Sequence, residues 1–254
     1  MATLTVVTLA LNEERNIRDC LASVRWADQI LVVDSGSTDR TREIAAGFTD
    51  HVLRLEWKGF GGTKNEALAH ACGDWILWMD ADERVTPELE AEIRRILEED
   101  PPDICAYDVA RRSHFLGRWM RHGGWYPSRV VRLFRRGRGR FTEARVHEGL
   151  EVEGGKGSLR SDLLHYTDPD LHHYFRKFNR YTTLAAEELG AGGRRFSLRD
   201  LLLRPPFQFV KMYLLRRGFL DGIQGFVLAA CSAAYVFVKY AKLWEREHPR
   251  KENS

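Results

Sequence analysis

Four short apolar runs constrain this chain more than any other feature: LTVVTLA (4–10), QILVVD (29–34), HVLRLEW (51–57) and DWILWMD (74–80). Each has the length and β-branched content of a strand, and each is followed by a segment with helix signals. Asn12 is placed to cap a helix from Glu13 to about Val24, with Glu13 and Glu14 favourable in its first turn. A short helix is expected near Thr41–Gly47 and another in GGTKNEALAHAC (61–72). Thr86-Pro87 then opens PELEAEIRRILEE, with proline at the first helical position. Continuous apolar strands alternating with helices predict an α/β fold built on a mostly parallel, doubly wound sheet. Ligands of such sheets bind beyond the carboxyl ends of the strands. Asn12, Glu14, Asp34, Asp80 and Asp82 all fall there.

Past residue 104 the pattern is less regular. Strands are expected at 104–110, 129–135, 141–146 and 158–165, and a helix at 170–190. GAGGRR (190–195) reads as a linker, which divides the chain into a catalytic domain, 1–190, and a tail, 191–254. The tail begins as a basic amphipathic segment, LLLRPPFQFVKMYLLRRGFLDG, and continues as the nearly uncharged GIQGFVLAACSAAYVFVKY (222–240). That order reads as a helical appendage associating with a membrane surface. A hairpin packed on the domain, or on a second copy in a homo-oligomer, is the alternative.

Charge adds a second pointer. The net charge is only +3, yet ten arginines and no acid lie between Asp108 and Glu143, which suggests an anionic partner. Cys20, Cys72, Cys105 and Cys231 are scattered without metal-type spacing, as in a reduced cytoplasmic protein. The N-terminus meets acids by residue 13 and reads as a first strand rather than a signal peptide.

The acids after the fourth run pose a problem. Asp80, Asp82 and Glu83 crowd three carboxylates into four residues, and they repel one another unless a cation sits among them. In extended backbone Asp80 and Asp82 share a face. Two hard oxygen ligands at a strand end suit Mg²⁺ or Mn²⁺ completed by substrate phosphates. No P-loop or GxGxxG cradle occurs in the sequence to hold a diphosphate by backbone alone.

TLALNEERNIRDCLASV, ILVVDSGSTDRT and GGTKNEALAHACGDWILWMDADE, in that order and at that spacing, resemble glycosyltransferase family 2 with its GT-A nucleotide-sugar-binding fold. His173–Thr182, HYFRKFNRYT, together with the basic apolar tail, is similar to the lipopolysaccharide-core glucosyltransferase-like branch. The resemblance implies that Asn12, Glu14 and Asp34 hold the nucleoside and that Lys64 lies near the donor diphosphate. It implies that Asp80 binds ribose or a water of the metal, and that Asp82 binds the metal with His165 completing its shell. Glu148, with Glu143 as competitor, would be the base that takes the acceptor's proton. HGGWYPSRVVRLFRR (122–136) resembles the glycine-containing loop over the donor, with Trp125 and Arg129 closing on the sugar diphosphate. The expected activity is inverting, metal-dependent transfer of a hexose, glucose from UDP-glucose, to a lipid-linked or lipopolysaccharide-core hydroxyl at the cytoplasmic face of the membrane. No nucleic-acid partner is expected. Two other readings stay open: a polyprenyl-phosphate sugar transferase and a non-catalytic membrane-surface binding protein.

Overall fold

The apolar runs do become strands, and 4–10, 29–34 and 75–80 are buried almost continuously although successive side chains point to opposite faces of a sheet. The computed structural model describes residues 1–56, 58–142 and 149–248. β1 (Leu4–Ala10), β2 (Gln29–Asp34), β3 (Val52–Arg54) and β4 (Trp75–Asp80) are parallel and lie in the order β3-β2-β1-β4. Between them run α1 (Ile17–Ala22), α2 (Thr41–Ala46) and α3 (Phe60–Leu68). Val6, Val32, Leu77 and Met79 join one core cluster, whereas Val7, Leu31, Val33, Ile76 and Trp78 join another with α3. This two-sided burial is what a sheet covered on both faces requires.

The sheet is then extended by antiparallel strands, so it is mixed. β5 (Glu83–Val85) and α4 (Pro87–Glu99) are followed by β6 (Ile104–Phe115), β7 (Arg118–Trp119), β8 (Ser128–Arg135), β9 (Gly139–Phe141), β10 (Leu150–Val152) and β11 (Gly155–Asp168). The order continues from β4 as β8-β6-β11-β5, and β9 with β10 forms a separate ribbon. The β4–β8 and β5–β11 pairs are antiparallel. Segment 122–136, likened to a loop over the donor, therefore includes the strand expected at 129–135 as β8. The helix α4 starts where predicted because the Thr86 hydroxyl accepts from the Leu89 N–H at 3.2 Å and Pro87 follows it.

The chain falls into two compact units, residues 1–112 with 128–166, and residues 113–127 with 167–254. The boundary therefore lies at 166/167 and not at the glycine-rich 190–195. The helix α5 (Leu171–Ala191) belongs to the second unit together with α6 (Leu198–Val210) and α7 (Gly222–Glu247). Its aromatic side chains explain why: Tyr174 packs on Phe115 at 5.7 Å and Phe178 on Tyr235 of α7 at 5.8 Å.

In the second unit the chain reverses between α6 and α7 through a π-helical turn, 211–215, and a 3₁₀ turn, 218–221. The reversal brings backbones into contact: a Cβ on Gly225 would lie 1.9 Å from the Gly218 carbonyl oxygen. Gly225→Ala should destabilise by about 1–3 kcal/mol through overpacking. A thermal melt should show a midpoint lower by roughly 3–10 °C for a chain of this size. Gly190→Ala, whose Cβ would meet Leu243 at an ordinary 3.8 Å, is the control and should be neutral or stabilising.

Candidate active site

The carboxyl ends of β1, β2 and β4 are brought together by register: Leu9 pairs with Asp80 and Ala10 with Asp34. The loops after β1 and β2 are knitted to each other. Asn12 takes a positive φ of 56°, donates its backbone N–H to Ser37 Oγ at 2.9 Å, and accepts from the Thr38 N–H through Oδ1 at 2.8 Å. Glu14 donates its N–H to Asp39 at 3.1 Å and accepts from the Arg40 N–H at 3.3 Å. Asn12 is therefore no helix cap; α1 begins later, after Asn16. Asp34 is fully buried and accepts from the N–H groups of Gly36 and Ser37 at 3.2 and 3.1 Å. Gly36, at φ 104°, supplies the backbone that this turn needs.

Asp80 ends β4, but the next strand does not pair beside it. After Ala81 and Asp82 the chain rejoins the sheet as β5 on β11, with Glu83 opposite His165. Asp82 thus stands at a crossing point, its carbonyl accepting from the Tyr166 N–H at 2.9 Å. Its carboxylate lies 3.5 Å from His165 Nε2, and both side chains are mostly buried.

The cation required by the crowded acids is Arg132. β8 pairs Leu133 with Leu77 on an antiparallel strand. The adjacent residue, Arg132, falls at a β-bulge, since β6 pairs Tyr107 with Leu133 and then Asp108 with Val131, and such a bulge re-aims the side chain it carries. Its guanidinium donates to Asp80 and to Glu83, the latter at 2.7 Å. Glu83 is fully buried and also accepts from the Asp80 N–H at 3.0 Å, while Arg111 approaches it at 4.0 Å. Loss of hydration opposes ionisation of Asp80, but Arg132, Lys64 and His165 outweigh it and hold the carboxyl at about 2. Burial pushes the Glu83 carboxyl up, against the pull of Arg132. Lys64, on α3, projects over the rings of Phe141 and Trp78, 5.0 and 5.5 Å from their centroids.

Arg129 and Trp125, also expected to bind the donor, have partners of their own. Arg129 donates to Asp108 at 2.6 Å and to the Leu159 carbonyl at 2.6 Å, tying β8 to its sheet neighbours. Trp125 belongs to the second unit, packed against Phe115 at 6.0 Å. Glu148 and Glu143 lie outside the described residues. Sequence reasoning missed Arg132, Arg111 and the buried role of Glu83. Their signal was the arginine-rich block, read above as a surface for an anionic partner. Six of its ten arginines (111, 112, 129, 132, 135 and 136) instead bond to acids or carbonyls of their own unit.

Two ligands of one ion at about 2.1 Å sit roughly 3 to 3.5 Å apart, and Asp82 and His165 have that separation. Among the described residues no three His, Cys, Asp or Glu side chains gather as a complete ligand set. The pair therefore fits a cation that takes its remaining oxygens from phosphates and water, as Mg²⁺ and Mn²⁺ do.

The family model described as Glycosyl transferase family 2 matches residues 5–181. The chain is 32% identical to the lipopolysaccharide core biosynthesis glycosyltransferase LpsC of Rhizobium meliloti, over 96% of this chain and 92% of that protein. It is 28% identical to an uncharacterised glycosyltransferase of Rickettsia typhi, over 96% of this chain and 88% of the relative. Among solved structures, the mannosyltransferase PcManGT from Pyrobaculum calidifontis, in complex with GDP-Man and Mn²⁺, aligns with a TM-score of 0.58 at 15% identity. That alignment covers 97% of this chain and 88% of the mannosyltransferase. The likeness is one of fold, a mixed sheet of the GT-A type.

Arg132→Ala should destabilise the chain by about 3–5 kcal/mol at neutral pH, because it leaves Glu83 buried without its cation. The sign of the pH dependence follows from Glu83. Its folded carboxyl is already raised by burial and rises further without Arg132, so stability of the variant should increase as pH falls from 8 to 5. Adding Glu83→Gln should recover part of the loss and flatten that slope. Urea unfolding at both pH values reads all three.

Proposed function

The chain belongs to glycosyltransferase family 2, and from that premise we propose that it transfers a hexose with inversion from a nucleotide-diphosphate sugar to a lipid-linked acceptor hydroxyl of the lipopolysaccharide-core type. Glucose from UDP-glucose is the proposed donor, and the cytoplasmic face of the membrane the proposed place. The observation that carries this reading is the approach of Asp82 to His165 at 3.5 Å, beside an Asp80 held charged by Arg132. The LpsC relative, named for lipopolysaccharide core biosynthesis over nearly its whole length, supports the acceptor class.

Asp82 and His165 would hold Mg²⁺ or Mn²⁺, which when bound supplies charge neutralisation for the diphosphate leaving group. Lys64 adds a second positive charge on the same side as Asp80 and is suited to the diphosphate oxygens. Asp80, fixed by Arg132, keeps its remaining oxygen for a ribose hydroxyl or a metal-bound water. Asn12 and Glu14 lie on the wall formed by the two knitted loops and would contact the nucleoside. Asp34 would act through that wall, since its carboxylate is held by the Gly36 and Ser37 N–H groups. Glu148 would accept the proton of the acceptor hydroxyl as its oxygen attacks C1 of the sugar from the face opposite the diphosphate.

Purified protein should hydrolyse one of the UDP-, GDP-, ADP- or dTDP-sugars slowly with Mn²⁺ and not with EDTA. Activity unaffected by chelation would refute the metal. Asp82→Ala should abolish transfer and remove the Mn²⁺-dependent part of nucleotide binding, with the circular dichroism spectrum unchanged. Glu148→Gln should lower kcat by roughly 10²–10⁴ while donor binding persists, the range expected for loss of a general base. A variant that keeps its rate would refute the base and favour a phosphate acceptor, which needs less of one.

A further inference from the structure

Among the described residues of the second unit one helical stretch, Gly218–Glu247, is long and apolar enough to cross a bilayer. Its packing argues against crossing. Lys242 on α7 donates to Asn179, Thr182 and Thr183 of α5 at 2.7–2.9 Å, and Arg246 pairs with Glu187 at 2.9 Å. Tyr235 donates to the Tyr181 carbonyl at 3.1 Å. The helix α5 carries Arg176, Lys177, Arg180, Glu187 and Glu188. A spanning α7 would draw these charges toward hydrocarbon, where charged side chains are costly. Its start is also anchored by a polar group: buried Asp221 accepts from the His122 backbone N–H at 2.8 Å and meets His122 Nδ1 at 2.9 Å.

Phe226, Phe237 and Trp244 of α7 are 45–47% exposed, but the densest run of exposed apolar side chains lies on α6 and the reversal after it. Leu203, Phe207, Val210 and Leu214 recur at i, i+4, i+7 and i+11, which is one helical face. They are 57, 60, 40 and 52% exposed, and Leu215 and Ile223 reach 69 and 68%. Between Arg194 and Arg217 there are seven cations and a single acid, Asp200, which is taken by Arg194 and Arg204. Arg195, Arg199 and Arg217 are exposed and have no ion pair among the described residues. A contiguous apolar stripe bordered by unpaired cations is the complement of an anionic lipid surface.

We infer that this chain is monotopic: α6 and the reversal at 211–223 lie in the headgroup layer of an anionic bilayer, the stripe enters the acyl boundary, and α7 does not cross. This deepens the membrane-side part of the proposed function and rests on it for the acceptor alone. The arginines around the stripe hold the lipid phosphates, whereas most of those in the 108–143 block hold their own protein.

Flotation of the full-length protein with vesicles of phosphatidylcholine, with and without phosphatidylglycerol, tests the surface. Binding is expected only to the anionic vesicles and should weaken with salt. Leu214→Glu combined with Leu215→Glu should reduce it by about tenfold or more, as should Arg199→Glu with Arg217→Glu. Donor hydrolysis in solution should be unchanged in both. These side chains are exposed, and circular dichroism checks the fold. Equal binding to neutral vesicles, or flotation indifferent to the substitutions, would overturn the docking surface. Retention in cell membranes after alkaline carbonate would show that α7 spans and overturn the monotopic reading. If the substitutions instead convert a dimer to a monomer, the stripe covers a second copy and the inference fails. Loss of flotation with intact donor hydrolysis supports the surface. Hydrolysis absent with every donor would sink the enzymatic proposal and leave the flotation result standing.

Discussion

The ion cluster of Arg132 with Asp80 and Glu83 is the interaction on which the site depends. Three carboxylates within four residues at the end of a buried strand would repel one another. One guanidinium, delivered by an antiparallel neighbour, makes the arrangement stable. Glu83 is the internal counter-ion and Asp80 the partly exposed one, so the same cation serves a buried partner and the one proposed to meet the donor. Buried pairs of this kind add little net stability, but losing one member is expensive. The benefit here is positional: Asp80 is kept ionised and aimed while Asp82 is left to His165.

That division of labour follows from the way the chain leaves the sheet. Had the segment after Asp80 continued as an ordinary crossover, Asp82 would have risen into a helix. Instead β5 pairs at the far side with β11, and a two-residue gap places Asp82 between two strands. Pairing Glu83 with His165 then sets the imidazole beside Asp82 from a position more than eighty residues along. The approach of Asp82 and His165, the two ligands proposed for the metal, from a strand end and a distant strand is therefore a consequence of sheet order.

Much of the first half was legible because its signals are local. The four strands, the start of α4 at Thr86-Pro87 and the clustering of Asp34 and Asp80 at strand ends all follow from short-range pattern and capping. What was not legible is non-local. No periodicity distinguishes β8 as the antiparallel partner of β4, so Arg132 was indistinguishable from its nine neighbouring arginines. Asn12 looked like a cap because its residue type is shared by caps and by left-handed turns. The glycines at 190–193 mark the end of α5, but the two units part earlier, where aromatic packing changes partner.

Arginine is thus used in two physically different ways, and ion pairing separates them where composition does not. In the first unit Arg112, Arg129, Arg132 and Arg135 are bonded to Asp162, Asp108, Asp80 with Glu83, and Asp100, and their charge is already neutralised. In the second unit acids are scarce around α6, and the cations border exposed leucines. A field that attracts an anionic surface needs uncompensated charge, so only the second set has reach beyond the protein. The same reasoning applies to apolar residues. Hydropathy identifies α7 as the membrane helix, yet Leu228, Ala229, Tyr240 and Leu243 are buried within the unit. The leucines that remain for lipid are those on α6 and its reversal, where hydropathy averaged over the surrounding arginines hides them.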